Sequence, residues 1–203
     1  MPARTFAIDG PLDLRRTLAP LGRGAGDRTI RFGPGRAWRA TRTPHGPATI
    51  SLVLSGDELR AEAWGPGADW AIDAVPDLLA LHAEPASLTS GHPTVATLAR
   101  RFPGVRIPRT GVVLESLVPA ILEQKVIGEE ARRALFQLVR RHGEIAPGPP
   151  ELGLRLLPAP AVLATLPYYS FHPFGVERRR AELIRRVAAR AAWFEAITAM
   201  PLP

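Results

Sequence analysis

The side chains best equipped for chemistry in this chain are unevenly spread. Tyr168-Tyr-Ser-Phe-His-Pro-Phe174 places four aromatic rings and an imidazole within seven residues, between two helical patterns. Electron-rich rings at that density suit a cationic heterocycle through cation–π attraction. Phe171 and Phe174 filling an interhelical core would give the same pattern. Just beyond it, Arg178-Arg-Arg180 opens a helix, where cations oppose the helix dipole. Phosphates close by would favour such an arrangement, and Glu177 at the same end partly offsets its cost.

Other catalytic constellations are missing. The five histidines, His45, His82, His92, His142 and His172, form no HxxxH pair. Cysteine is absent, which removes thiol nucleophiles, disulfides and the commonest ligand of structural zinc. No metal and no cofactor is expected. The sequence holds neither a Walker-type phosphate loop, nor a strand-borne GxGxxG, nor a GxSxG elbow. Gly22-Arg-Gly24-Ala-Gly26 is glycine-rich but precedes a strand rather than a helix, and reads as a flexible turn.

With 203 residues, 46% of them hydrophobic, the chain suffices for one large domain or two small ones. No apolar run reaches the length of a membrane span, and MPARTFAIDGPLDLRR lacks the apolar stretch of a signal peptide. A reducing cytoplasm, in contact with the nucleoid, is the expected home. The net charge of +7 is lopsided. Residues 1–99 hold ten Arg against ten Asp or Glu, whereas residues 100–203 hold fifteen Arg and one Lys against nine Glu. A one-sided basic surplus is the footprint of a polyanion binder. Arginine-rich helix faces that are merely solvated would give the same count.

Two kinds of element must position these groups. Ala37–Thr43 and Leu59–Trp64 alternate apolar and polar side chains as half-buried strands do, with a denser apolar run at Ile50–Leu54 and an earlier strand near Thr29–Phe32. Thr43-Pro-His-Gly-Pro47 and Ser55-Gly-Asp57 supply the turns. Ala68–Leu81 has helical spacing, which Pro76 should kink or split. A polar connector around His82–His92 marks the expected boundary. Beyond it the spacing predicts helices over Pro93–Arg101, around Leu114–Leu122, around Ala131–His142 with Gly143 as C-cap, over Ala159–Leu166, and as one long helix over Val176–Ile197. The expected class is α+β: an antiparallel β domain over residues 1–85, then an all-helical domain over residues 92–203.

Phe102–Glu144, which reads FPGVRIPRTGVVLESLVPAILEQKVIGEEARRALFQLVRRHGE, resembles the DNA-3-methyladenine glycosylase II family of helix-hairpin-helix DNA glycosylases. In that family a Pro-Gly bend leads to a helix ending in a stretch like Ala120-Ile-Leu-Glu-Gln124, then a short turn and a second helix ending near Gly-Glu. Leu156–Leu166 and Arg178–Ile184 are similar to two of its later helices. The resemblance implies a TATA-binding-protein-like N-terminal domain, a monomer, and double-stranded DNA with alkylated bases as partner. A glycosylase must rotate its target nucleotide out of the stack and fill the gap with a wedge. By resemblance that wedge lies at Gln124, Lys125 and Val126, in the minor groove. Lys125 departs from the apolar residue expected there. Its aliphatic stem could fill a gap while its ammonium finds a phosphate; an ordinary exposed loop lysine is the other reading. Arg178 and Arg179 become candidate DNA contacts, and Tyr168, Tyr169, Phe171 and His172 candidate walls of a base pocket.

The resemblance stops short of the chemistry. Nothing in the sequence reads Leu-Pro-Gly-x-Gly, the hairpin that grips a phosphate in the family, and the last Asp is Asp77. The expectation is a chain that ends before the hairpin and its catalytic Asp, with no catalytic residue of its own. It would be a base-excision repair protein inactive as these 203 residues or, alternatively, a non-catalytic DNA-binding module. A third reading is an unstable fragment, in which the apolar faces of residues 114–139 are left uncovered.

Overall fold

The computed structural model describes residues 1–82 and 91–200. The first half is built on a five-stranded antiparallel sheet of order β1-β5-β4-β3-β2. Strands β3 (Arg36–Thr43), β4 (Gly46–Ser55) and β5 (Glu58–Trp64) form a meander, flanked by β2 (Ile30–Gly33) beside β3 and β1 (Ala3–Ala7) beside β5. Gly46 and Gly56 take positive φ of 115° and 61° in the two tight turns, a conformation a β-carbon would disfavour.

Helix α1 (Leu14–Leu18) and the pair α2 (Ala68–Asp73) and α3 (Val75–Leu78) cover the sheet. Leu14, Leu18, Ile50, Leu52, Leu59, Val75 and Leu79 form their shared core. Pro76 sits in the first turn of α3, where its missing N–H costs nothing, so the expected helix is split rather than bent. Asp13 caps α1 by accepting the Arg16 N–H at 2.8 Å, and that bond holds its carboxyl below the usual range.

Neither β1 nor α1 was expected. β1 is an edge strand with almost all of its residues exposed, so it carries no alternation to read. Most of the expected boundary, residues 83–90, lies outside the described residues.

The second half is helical. Its elements are α4 (Pro93–Arg101), α5 (Leu114–Leu122), α6 (Gly128–His142), α7 (Pro160–Thr165), α8 (Arg178–Ala189) and α9 (Ala191–Glu195). Val118, Ile121, Leu122, Leu138, Leu163, Phe171 and Ile184 are fully or almost fully buried at its centre. The apolar faces of α5 and α6 are therefore covered, against the unstable-fragment reading, by α7, α8 and the 3-10 segment Tyr168–Phe174.

One further expectation fails for a local reason. The single long helix is broken at Arg190 (φ −113°, ψ 24°), which turns α9 back toward the start of α5. Gly143 caps α6 as expected, its N–H bonding the Val139 carbonyl, and does so in an extended conformation (φ −77°). Glycine is needed there because a β-carbon would run into the carbonyl oxygens of Leu156 and Val139.

A hairpin stitches the halves together. The Leu156 N–H donates to Glu144 O, the Ala146 N–H to Leu154 O, and the Arg155 N–H crosses to Arg28 O ahead of β2 at 2.7 Å. Leu154 and Leu156 make a small core with Ala40, against which Trp38 packs. Among the described residues no helix is long and apolar enough to cross a membrane.

Candidate nucleic-acid interface

Helix α5 ends within the Ile-Leu-x-Gln stretch, at Leu122, and charged side chains hold it at both ends. At its start, Glu195 of α9 accepts the Val113 and Leu114 N–H groups at 2.6 and 3.0 Å, serving as a carboxylate cap brought from a distant element. Glu115 turns toward the sheet. Its Oε1 accepts the Arg42 N–H at 2.7 Å, while Oε2 accepts the Arg39 guanidinium at 2.5 Å and the Thr41 hydroxyl at 3.0 Å. The side chains of Arg39 and Glu115 are only 8% and 15% exposed, so this pair is a dry joint between the halves. Arg42 completes it, donating to Leu157 O at 2.7 Å and pairing with Glu144 at 3.0 Å.

At the far end the holders are cations. Arg180, 6% exposed, donates from Nη1 to Leu122 O at 2.8 Å, an α5 carbonyl left free at the helix end. It also reaches Gly175 O at 3.4 Å, and Glu177 lies 3.6 Å from its Nε. Arg23 pairs with Glu123 at 3.3 Å from the glycine-rich loop. The chain then turns sharply into α6. Gln124 bonds back to Ile121 O at 3.3 Å, and Lys125 takes φ 56° at the apex. Among the described residues only Ala80 is another non-glycine with positive φ. That conformation costs an ordinary residue about 1–2 kcal/mol, and such strain collects where function holds it. Gln124 and Lys125 are exposed, Val126 is half-buried and Ile127 is 65% exposed.

Most of the remaining expected site residues lie along the 3-10 segment Tyr168–Phe174 and the start of α8. Arg178 bonds Glu182 at 2.7 Å and lies 4.6 Å over the Tyr168 ring. The hydrogen bond raises the Arg178 pKa and lowers that of Glu182. Arg179 is exposed, and among the described residues no ion pair or side-chain hydrogen bond engages it. Tyr168 stacks edge-on with Tyr169 (5.8 Å) and His172 (5.4 Å), and both of those neighbours are exposed. Phe171 does not belong to that cluster. It is 0% exposed and packs with Phe174 in the helical core, where no base could reach it.

Arg180, Glu115, Glu195 and Arg23 were not singled out from the sequence. For two of them a signal existed in the helical phase. Arg180 shares a face with Ile184 and Val187, and Glu115 with Val118 and Leu122, so both should point inward. Among the described residues no group of three or more His, Asp or Glu could hold a metal ion.

No protein-family model and no curated protein matches the chain by sequence. Solved structures do match. A 3-methyladenine DNA-glycosylase from Archaeoglobus fulgidus superposes with a TM-score of 0.76 at 17% identity, covering 95% of this chain and 68% of that one. MBOgg1 in complex with a low-affinity DNA ligand gives 0.66 at 17% identity over 95% of this chain and 66% of its own. The apo 8-oxoguanine glycosylase/lyase of Clostridium acetobutylicum gives 0.65 at 13% identity, over 93% and 65%. The chain thus has the α+β fold of DNA glycosylases and spans about two thirds of their length.

Proposed function

We propose that this chain engages double-stranded DNA in the manner of a base-excision glycosylase of alkylated bases, with the turn at residues 123–127 entering the minor groove. The observation that carries this reading is the left-handed Lys125 at the exposed apex of a turn whose base is locked by a buried arginine. Strain held by a braced scaffold and topped by a flexible cation suits insertion beside a flipped nucleotide. Gln124 and Val126 flank that insertion. Arg178 and Arg179 face the backbone phosphates. The rings of Tyr168 and Tyr169, with His172, offer electron-rich edges and faces to a positively charged alkylated base.

In the same reading these 203 residues bind but do not cleave. Cleavage of an N-glycosidic bond needs a carboxylate facing the oxocarbenium-like sugar. Glu115 is consumed by Arg39, Thr41 and Arg42 of β3, Glu195 by the start of α5, Glu123 by Arg23 and Glu182 by Arg178. Asp77, the last Asp, lies in α3 on the sheet half.

Duplex binding measured against rising salt tests the first part. Affinity should fall steeply between about 50 and 200 mM salt as counterions lose their release entropy; a flat profile contradicts it. Release of 3-methyladenine from alkylated DNA by the pure chain, abolished by one substitution within it, contradicts the second part.

A further inference from the structure

The glycine-rich stretch Gly22–Gly26 touches the turn through Arg23, which pairs with Glu123, but most of it faces elsewhere. It forms one wall of a cleft of about 510 Å³ on the sheet half, whose other walls are Arg15 of α1, Asp27 and Arg28, and Arg31 and Phe32 of β2. Its three guanidinium groups are exposed, and none is paired with a carboxylate among the described residues. Arg15 lies 5.4 Å over the Phe32 ring, and Arg31 reaches only the Glu151 main-chain carbonyl at 3.3 Å. Among the described residues no hydrogen bond engages the Arg28 side chain.

The one acid in the cleft is occupied internally. Asp27 accepts the Arg23 N–H at 2.9 Å, and both the N–H and the hydroxyl of Thr29 at 2.7 Å, so its carboxylate shapes the loop. The Asp27 N–H closes the loop on Gly24 O at 3.0 Å. The N–H groups of Gly24, Ala25 and Gly26 have no acceptor among the described residues. Unopposed planar guanidiniums beside unpaired main-chain amides are the equipment of an oxyanion site, and of phosphate in particular.

The loop is joined to the Lys125 turn. Arg23 pairs with Glu123, and Gly26 lies against Phe136 of α6 so closely that a β-carbon would enter the ring. The cleft therefore continues the surface of the turn onto the sheet half. Residues 1–99 balance their charges, ten Arg against ten acids, yet three of those arginines meet here without a counter-ion.

We propose that this cleft binds a backbone phosphate of the duplex whose minor groove the turn enters, giving the sheet half its own sequence-independent anchor; this rests on the DNA-binding reading above. The test uses the full chain, with intact duplex and duplex carrying an abasic-site analogue, at several salt concentrations. The double variant Arg28→Gln/Arg31→Gln should bind both about tenfold more weakly. Its salt slope should be shallower by roughly 1–2, one contact being worth about 0.9. Arg28→Lys/Arg31→Lys should keep most of the slope.

Amide resonances of Gly24 and Gly26 in the unaltered chain should shift with duplex, a readout independent of how the variants fold. Wild-type affinity and slope in the double variant overturn the cleft and leave the turn standing. Failure of the unaltered chain to bind any duplex overturns both. Inorganic phosphate alone, shifting the same amides as strongly at equal phosphate concentration, overturns DNA as the occupant in favour of a free oxyanion.

Discussion

The two ends of α5 use the same currency of charged side chains and acquire opposite characters. At the N-terminal end every charge is answered. Glu195 meets two amides, Glu115 meets Arg39, Thr41 and the Arg42 amide, and the Arg39–Glu115 pair is almost fully dry. At the C-terminal end Arg180 answers the helix carbonyl, but the chain beyond it rises into an exposed turn with a strained lysine whose ammonium has no partner among the described residues. A charge matched inside the protein is scaffold. A cation held out on a braced, strained turn is available to something outside. The contrast separates what holds the sheet to the helices from what meets DNA.

The largest effect should come from breaking the scaffold end. Glu115→Ala strands the buried Arg39 guanidinium and should cost about 3–5 kcal/mol in urea unfolding. Near-native stability would mean that the joint is not dry in solution. Arg180→Ala comes next, at about 2–3 kcal/mol, because it removes two charge-assisted hydrogen bonds and leaves Leu122 O without its partner. It should also weaken binding to abasic-site duplex more than to intact duplex, with partial rescue in Arg180→Lys. A purely stabilising role would leave that ratio unmoved.

A third change should sharpen the comparison by moving stability and binding in opposite directions. Lys125→Gly relieves the left-handed strain and should raise stability by up to about 1 kcal/mol, while losing affinity for abasic-site duplex. Stability and affinity falling together would contradict the strain argument. The smallest effect concerns His142, at the end of α6 edge-on to Phe174 (6.0 Å). Burial first, and Arg141 second, hold its pKa below 6.5. A depressed pKa in the folded state means stability present above about pH 6.5 and lost as pH falls below it. His142→Gln should flatten the stability profile across that window. An unchanged profile would assign the acid sensitivity elsewhere.

Much of this was legible in sequence wherever burial is periodic. β3, β4 and β5 carry enough inward side chains to be read, as do the stripes of α5 and α6, and Pro76 announces its own break. β1 escaped because its residues face solvent, and the break at Arg190 because the apolar stripe continues through it from Val187 and Ala188 to Ala191 and Phe194. Gly143 was legible as the cap of α6, but its need for steric room was not, because local spacing holds no trace of Leu156, which approaches from thirteen residues away. At the site, the resemblance located Gln124, Lys125 and Val126, but the identical letters of Arg178, Arg179 and Arg180 hid three fates: a ring-stacked ion pair, an exposed cation and a buried brace. Phe171 had two readings in the sequence, pocket wall and interhelical core, and only packing decides between them, in favour of the core.

The central claim, that the braced turn meets a distorted nucleotide, is most directly tested by Lys125→Ala titrated against abasic-site and intact duplexes at one salt concentration. A selective contact predicts about a tenfold loss on the abasic-site duplex, roughly 1.4 kcal/mol, and about twofold on the intact one. Equal losses on both would reduce Lys125 to a phosphate contact and contradict the account.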